Sequence, residues 1–253
     1  MPTVVIDFGH GYPPDVGAVG QGLQEYKMAR QIGEEVIKRL PSNIKVILTR
    51  KGDSGLRTKK SEDLNARCAV ANNAGADLFV SIHLNAFDTT KRGYETCVYK
   101  EDVKNKAVHV AVSKIIKKYG LTDRGIKIRP DIRVLKGTKM SACLLECLFI
   151  DNKQDMDMLK NKAFFADFCQ AIADGICNAL GMPNKPPVKP ANNPKKEEEN
   201  KVEYKKDAAA SPRFREAQKW VKENGISDGT YPQRPVTREE VWEMMYRASK
   251  VNK

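Results

Sequence analysis

Residues 4–20 read VVIDFGHGYPPDVGAVG and indicate the class of the fold. This stretch opens on a run of apolar residues interrupted only by Asp7, which is typical of a strand covered by helices on both faces. The loop that follows carries glycines on both sides of His10, and glycine lets a backbone approach another group closely. In open α/β sheets such loops at strand ends form the binding crevice, so we expect a site here.

The same pattern continues along the next 160 residues or so of the chain. Three more apolar runs predict buried strands: KVILTR (45–50), DLFVSI (77–82) and SACLLE (141–146). Between and after them, apolar residues recur at helical spacing over residues 28–40, 107–119 and 164–180. This alternation predicts an α/β domain with a twisted, mostly parallel sheet flanked by helices.

The composition changes sharply after this domain. Five of the twelve residues from Pro183 to Pro194 are proline, and proline-rich chain adopts extended geometry. Two short helices are predicted beyond, in FREAQKWVKENG and TREEVWEMMYRAS. We therefore expect an α/β domain over residues 1–182, a proline-rich and charged linker over 183–212, and a small helical C-terminal domain over 213–253.

Composition and charge exclude several classes of protein. The chain has 253 residues, 41% of them hydrophobic, and a net charge of +12, so a folded core is expected and a polyanionic partner is favoured. No apolar run approaches the roughly 20 residues of a membrane helix. No nucleic-acid-binding motif accompanies the charge, so nucleic acid is not an expected partner. The opening MPTVVIDFGHG lacks the features of a secretory signal, which predicts accumulation in the cytoplasm.

The six cysteines contain no CxxC pair and most lie in apolar stretches. Cysteine in such surroundings behaves as a small hydrophobic residue. We predict reduced, buried thiols rather than a disulfide framework or a thiolate zinc site.

The chain has only three histidines, and two of them, His10 and His83, directly follow predicted strands. Glu25 opens the first helix, and Glu146 ends an apolar strand where a carboxylate is costly unless it is used or paired. Two imidazoles and one carboxylate form a three-ligand zinc set that leaves a position for water, and a second carboxylate can transfer protons beside it. His109 lies off the apolar stripe of its helix and is predicted on the surface.

The order of these motifs resembles the zinc-dependent N-acetylmuramoyl-L-alanine amidases, peptidoglycan hydrolases common among phage lysins and bacterial autolysins. The resemblance covers about residues 3–180 and includes GHG, SIHLNA and LLECLF. It implies that His10, Glu25 and His83 bind one Zn²⁺ and that Glu146 is the catalytic glutamate. Leu148 stands where the family usually has glycine, which puts the shape of the Glu146 loop and the substrate preference in doubt.

The last 40 residues or so resemble a single S-layer-homology-like repeat. This resemblance implies binding to an anionic secondary cell-wall polymer, with Arg238 in VTREE as a contact; the alternative is an ordinary helix-surface arginine. One repeat is fewer than that family normally uses, which favours a homo-oligomer formed through this domain. Trp220, Trp242 and Tyr246 are predicted as core or dimer contacts rather than as a sugar platform.

Together these features predict an endolysin that cleaves the amide between N-acetylmuramic acid and L-alanine of the stem peptide. The protein is expected to stay in the host bacterial cytoplasm until it is released to act at the wall. Two alternatives remain: a cell-wall-binding protein with an inactive amidase-like domain, which the departure at Leu148 favours, and another zinc peptidase such as a wall carboxypeptidase.

Overall fold

The computed structural model describes residues 1–184, 215–227 and 238–251. The strands are β1 Thr3–Phe8, β2 Val19–Gly20, β3 Leu23–Gln24, β4 Lys45–Leu48, β5 Leu78–Asn85, β6 Tyr94–Val98, β7 Asp123–Ile128 and β8 Ser141–Phe149. The helices are α1 Glu25–Arg39, α2 Lys60–Asn73, α3 Val103–Lys118, α4 Arg133–Gly137, α5 Lys153–Lys160, α6 Lys162–Ala179, α7 Arg215–Glu223 and α8 Arg238–Val251.

Six of these strands form one sheet in the order β4-β1-β5-β8-β6-β7. Strands β4, β1, β5 and β8 run parallel, and β6 and β7 run parallel to each other but antiparallel to β8. The predicted α/β class with a mostly parallel, helix-flanked sheet is confirmed. Strand β8 continues to Phe149, so the prediction that Glu146 ends its strand is wrong: Glu146 lies inside the strand.

The sheet is buried on both faces. The larger cluster of buried apolar side chains includes residues of α1, α3 and α6, and the smaller one includes residues of α2 and α4. All six cysteines are buried and free, as predicted. Burial raises the pKa of Cys97 and Cys169 to about 12, so these thiols are unreactive at neutral pH.

His109 is buried, with 9% of its surface exposed, so the prediction that it lies on the surface is wrong. Its Nδ1 lies 3.0 Å from Thr96 Oγ1, and its ring stacks on Tyr94 with centroids 5.8 Å apart. Its Nε2 lies 3.7 Å from Asp123 Oδ1. The face of α3 that the sequence marks as polar packs against β6 and β7, two strands whose mixed composition did not stand out in the sequence. Burial lowers the pKa of His109.

Contacts divide the chain into two compact units, Met1–Ala191 and Asn192–Lys253. In the second unit, α7 and α8 confirm the two predicted helices. Trp220 is 46% exposed and Tyr246 is 60% exposed, so of the two predicted alternatives the core position does not hold for them, and a dimer contact stays a prediction. The side chains of Trp242 and Arg238 and most of the predicted linker lie outside the described residues. None of the described helices is long and apolar enough to cross a membrane.

Candidate active site

Two glycines let the loop after β1 close over the predicted site. A Cβ atom on Gly9 would lie 2.5 Å from two ring atoms of His83. A Cβ atom on Gly17 would lie 2.5 Å from Glu25 Oε2, and Gly17 has a φ of +68° that disfavours other residues. The loop therefore packs directly on the imidazole and the carboxylate.

Three of the predicted site residues meet at one point. Glu25 Oε1 lies 3.1 Å from His10 Nε2 and 3.0 Å from His83 Nδ1. One ligand atom from each residue lies within 4.8 Å of the others. His10 comes from the loop after β1, Glu25 from the first turn of α1 and His83 from β5, so the fold joins positions that are far apart in sequence. This cluster could hold a metal ion.

Backbone and side-chain hydrogen bonds orient the cluster. Glu25 Oε2 accepts from Ala18 N at 2.7 Å, and Glu25 Oε1 accepts from Leu84 N at 3.0 Å. Burial alone would raise the pKa of Glu25, but the hydrogen bonds from both histidines hold it well below its usual value. The carboxylate is therefore ionised and fixed in place at neutral pH.

Asp15 supports the ring of His10 from the other side. Its Oδ2 lies 3.0 Å from His10 Nδ1, and Lys60 Nζ lies 2.6 Å from the same oxygen. Partial burial would raise the pKa of Asp15, but Lys60, the Gly17 N–H and His10 lower it to about 2. A carboxylate on the far nitrogen of an imidazole fixes the ring orientation and leaves the near nitrogen free as a ligand.

A buried ion pair supports the loop that carries His10. Arg67 is 1% exposed, and its Nη1 donates to Asp7 Oδ1 at 2.7 Å and to the Phe8 carbonyl at 2.7 Å. Its Nη2 donates to the His10 carbonyl at 2.5 Å. Burial would raise the pKa of Asp7, but Arg67 and the hydroxyls of Ser81 and Thr49 lower it below its usual value.

Arg50 holds the same loop from a second direction. Its guanidinium donates to the carbonyls of Phe8 at 2.8 Å, Gly9 at 3.0 Å and Tyr26 at 2.8 Å. Arg50, Arg67 and Asp15 were not predicted as site residues. The available signal was an arginine directly after an apolar strand and another among small apolar residues on α2, both costly to bury without partners.

Glu146 lies in one row of the sheet with His83 and Glu95. It is opposite His83 on β5 and opposite Glu95 on β6. Its Oε2 atom is buried and has no hydrogen-bond partner among the described residues. Burial, together with the charges of Glu25 and Glu95, raises the pKa of Glu146 to about 8. A carboxyl group in this state can exchange a proton near neutral pH.

Glu95 differs from Glu146 because both of its oxygens are occupied. Oε1 accepts from Asn85 Nδ2 at 3.0 Å and Oε2 accepts from Arg124 Nε at 2.7 Å. Glu146 is therefore the carboxyl of this pair with an oxygen free for proton transfer. Glu95 was not predicted as a site residue, because it lies on β6 and that strand was not predicted from the sequence.

Leu148 adopts a left-handed backbone conformation, with φ of +73°. The pairing of β5 and β8 shifts at this point, since His83 faces Glu146 but Asn85 faces Phe149. β8 thus contains a bulge with one extra residue. Leu148 thus adopts the backbone conformation that glycine favours, and its side chain is completely buried. The replacement of the family's glycine by leucine therefore does not remove the bend after Glu146.

This geometry predicts an unusual order of stability at position 148. Leu148→Ala removes buried side-chain atoms, at about 2–5 kcal/mol, and keeps the left-handed strain of about 1–2 kcal/mol. Leu148→Gly loses the same packing but relieves that strain. We expect both variants to be less stable than the parent, with glycine above alanine by about 1 kcal/mol. Urea unfolding of the three proteins measures this, and a more stable alanine variant contradicts a left-handed residue 148.

Comparison with known proteins identifies the family. The model of the N-acetylmuramoyl-L-alanine amidase family matches residues 4–178. The chain belongs to the N-acetylmuramoyl-L-alanine amidase family. This amidase is 36% identical over 193 residues to the endolysin of Bacillus phage SPP1, covering 72% of this chain and 67% of that protein. It is 33% identical over 187 residues to the amidase CwlM of Bacillus licheniformis, covering 72% and 70% of the two chains.

Solved structures show the same relationship. The catalytic domain of CwlV, an amidase from Paenibacillus polymyxa, matches with a TM-score of 0.64 and 32% identity, over 72% of this chain and all of that domain. The predicted amidase function is thus confirmed at the level of the family. The four predicted site residues, His10, Glu25, His83 and Glu146, fall within the matched range.

Proposed function

We propose that this amidase binds one Zn²⁺ through His10, Glu25 and His83 and hydrolyses the amide between N-acetylmuramic acid and L-alanine of the stem peptide. The observation that carries the proposal is the approach of three ligand atoms to within 4.8 Å of one another. Two imidazole nitrogens and one carboxylate oxygen are a donor set of catalytic zinc sites. Glu146 lies opposite His83 in the sheet, and its buried Oε2 has no hydrogen-bond partner among the described residues. An oxygen in this position is available for proton transfer beside the cluster, which supports the proposal.

Bound zinc would supply Lewis acidity towards the scissile carbonyl and lower the pKa of a water molecule. The protein contributes the proton transfer. Glu146 takes a proton from the attacking water, whose oxygen bonds to the carbonyl carbon, and returns a proton to the nitrogen of L-alanine as the C–N bond breaks. Ala18 and Leu84 keep Glu25 in place through their N–H groups, and Asp15 keeps the His10 ring in place.

The position of Asp15 leads to a prediction about metal affinity. Asp15→Ala removes the partner of His10 Nδ1, so we expect zinc to bind about 10–100-fold more weakly. Competition with a chromophoric chelator measures the affinity without using activity. Asp157→Ala, an exposed carboxylate on α5 that pairs with Lys153, is the matched control. Equal zinc affinity in the two variants contradicts the supporting role.

The products of digestion test the proposed reaction. The full chain is stripped with a chelator, reloaded with zinc, and incubated with purified peptidoglycan. Mass spectrometry should find stem peptides with a free L-alanine amino terminus only in the zinc-loaded sample. Release of terminal D-alanine alone would identify a carboxypeptidase instead, and no release would favour an inactive wall-binding domain. The complete His/Glu/His cluster and the free Glu146 oxygen favour turnover.

We also propose that residues 213–253 attach the enzyme to an anionic secondary cell-wall polymer and that the protein acts as an endolysin. The support is the repeat resemblance and the name of the relative from phage SPP1. Sedimentation of the full chain with walls, before and after chemical removal of the polymer, tests the attachment. Arg238→Ala should reduce the bound fraction if this arginine is a contact. The domain boundaries, the homo-oligomer and the location before release stay predictions.

A further inference from the structure

An exposed aromatic ring lies just beyond the candidate site on β5. Phe87 is four residues after His83, and 70% of its surface is exposed. Its backbone is nevertheless firmly held: Phe87 N and Thr89 N both donate to Asp151 Oδ2, at 3.0 and 2.9 Å. Asn152 Nδ2 donates to the Thr89 carbonyl at 2.7 Å. These hydrogen bonds hold the loop so that a large apolar ring stays exposed to solvent, although its exposure is unfavourable.

A second apolar side chain is held against the same segment. Val19, on the short β2–β3 hairpin, is 62% exposed. The hairpin packs on residues 150–151, since Gln21 Nε2 donates to the Asp151 carbonyl at 3.1 Å and a Cβ on Gly20 would lie 2.5 Å from the Ile150 carbonyl oxygen. Val19 directly follows Ala18, whose N–H holds Glu25. Val19 and Phe87 are thus exposed apolar side chains on two segments that both pack on residues 150–151, next to residues of the His10/Glu25/His83 cluster, and we call the pair the apolar rim.

The flank of the site beside His10 has a different character. The loop between β4 and α2 packs on the His10 loop, with Gly55 N donating to the Pro13 carbonyl at 2.9 Å. It exposes three basic residues, Lys51, Arg57 and Lys59, and the exposed Lys60 follows at the start of α2. Such a cluster attracts carboxylates. The stem peptide of peptidoglycan carries free carboxylates, whereas a glycan whose muramic acids are amide-linked is uncharged.

We propose that the apolar rim formed by Val19 and Phe87 is a glycan subsite, with Phe87 stacking on the C–H face of a pyranose ring of the substrate. The stem peptide then extends towards the basic flank. This inference rests on the proposed function, since it concerns the sugar side of the same scissile bond. Aromatic faces favour contact with the positively polarised C–H edges of a neighbouring group, and the tethered loop loses little entropy on binding.

Binding to peptide-free glycan strands tests the subsite without any turnover. The probe is soluble glycan from which stem peptides have been removed, titrated calorimetrically into the full chain. We expect Phe87→Ala to bind the glycan about tenfold more weakly, because the loss of one aromatic contact corresponds to about that change in affinity. Phe87→Trp should bind like the parent, because tryptophan keeps an aromatic face at this position. On soluble peptidoglycan fragments, Phe87→Ala should raise KM by a similar factor and leave kcat within about twofold.

Two other exposed aromatic residues serve as controls. Tyr99 is 47% exposed and follows β6, which runs antiparallel to β8, so it lies at the opposite end of the strands from Phe87. Tyr12 lies on the basic flank and is 62% exposed. Tyr99→Ala should behave like the parent. Unchanged glycan affinity in Phe87→Ala, or a loss in Tyr12→Ala instead, overturns the proposal. A parent enzyme that releases no stem peptide would refute the proposed function, whereas normal release with an unaltered Phe87→Ala variant would refute only the subsite.

Discussion

Glu146→Gln is expected to lower kcat for stem-peptide release by about 10²–10⁴-fold, the usual contribution of a general acid–base group. Glutamine has nearly the same shape as glutamate but cannot accept the proton of the attacking water or return one to the leaving nitrogen. The effect should fall on kcat rather than on KM, because the proposed proton transfer takes place in the transition state. Measurement of new L-alanine amino termini on purified peptidoglycan gives the rate.

Two controls separate proton transfer from damage to the site. Zinc affinity should stay near that of the parent, since Glu146 is not one of the three proposed ligands. Glu101→Gln, a carboxylate that pairs with Lys106 at the start of α3, should leave kcat unchanged. If Glu146→Gln releases stem peptides at the parental rate, the proposed mechanism is wrong.

Arg67→Met is expected to lower the free energy of unfolding by about 3–5 kcal/mol, because it leaves two buried carboxylates, Asp7 and Asp63, without this partner. Asp7 and Arg67 are each 1% exposed, so water cannot solvate the Asp7 carboxylate once the guanidinium is removed. The carbonyls of Phe8 and His10 also lose a donor. Urea unfolding followed by far-ultraviolet circular dichroism measures the change. Arg57→Met, which alters an exposed arginine, should change it by less than about 0.5 kcal/mol.

A double variant tests the reason for that loss. Asp7→Asn removes one of the two buried charges that Arg67→Met leaves unpaired, so the double variant should be more stable than the sum of the two single losses predicts. The stability that Asp7 contributes should also depend on pH. The folded-state pKa of Asp7 lies below the usual 3.8, so its stabilisation is present above pH 3.8 and disappears as the pH falls through the lowered pKa. Additive losses in the double variant would show that the pair is not coupled.

Hydrophobic periodicity predicted the elements that are apolar enough to stand out. The runs at 4–8, 45–50, 77–82 and 141–146 all correspond to strands, because parallel strands buried on both faces require continuous apolar sequence. Hydrophobic periodicity did not predict β6 or β7. Their residues include Glu95, Thr96 and Arg124, whose polar groups are acceptable only because they pair with neighbours brought in by the fold. The error at His109 has the same origin, since its partners lie on those strands.

Sequence patterns were enough to predict the α/β class, the buried thiols, the family and four candidate site residues. Chain order and residue type carry that information, because strand ends, glycine loops and isolated histidines are local features. Only the tertiary structure decided that one oxygen of Glu25 meets both imidazoles, that Arg67 and Arg50 hold the His10 loop, and that Leu148 keeps a left-handed bend. These depend on side chains from different elements sharing one buried space, where each polar atom is stable only with a partner, and no single segment specifies its partners.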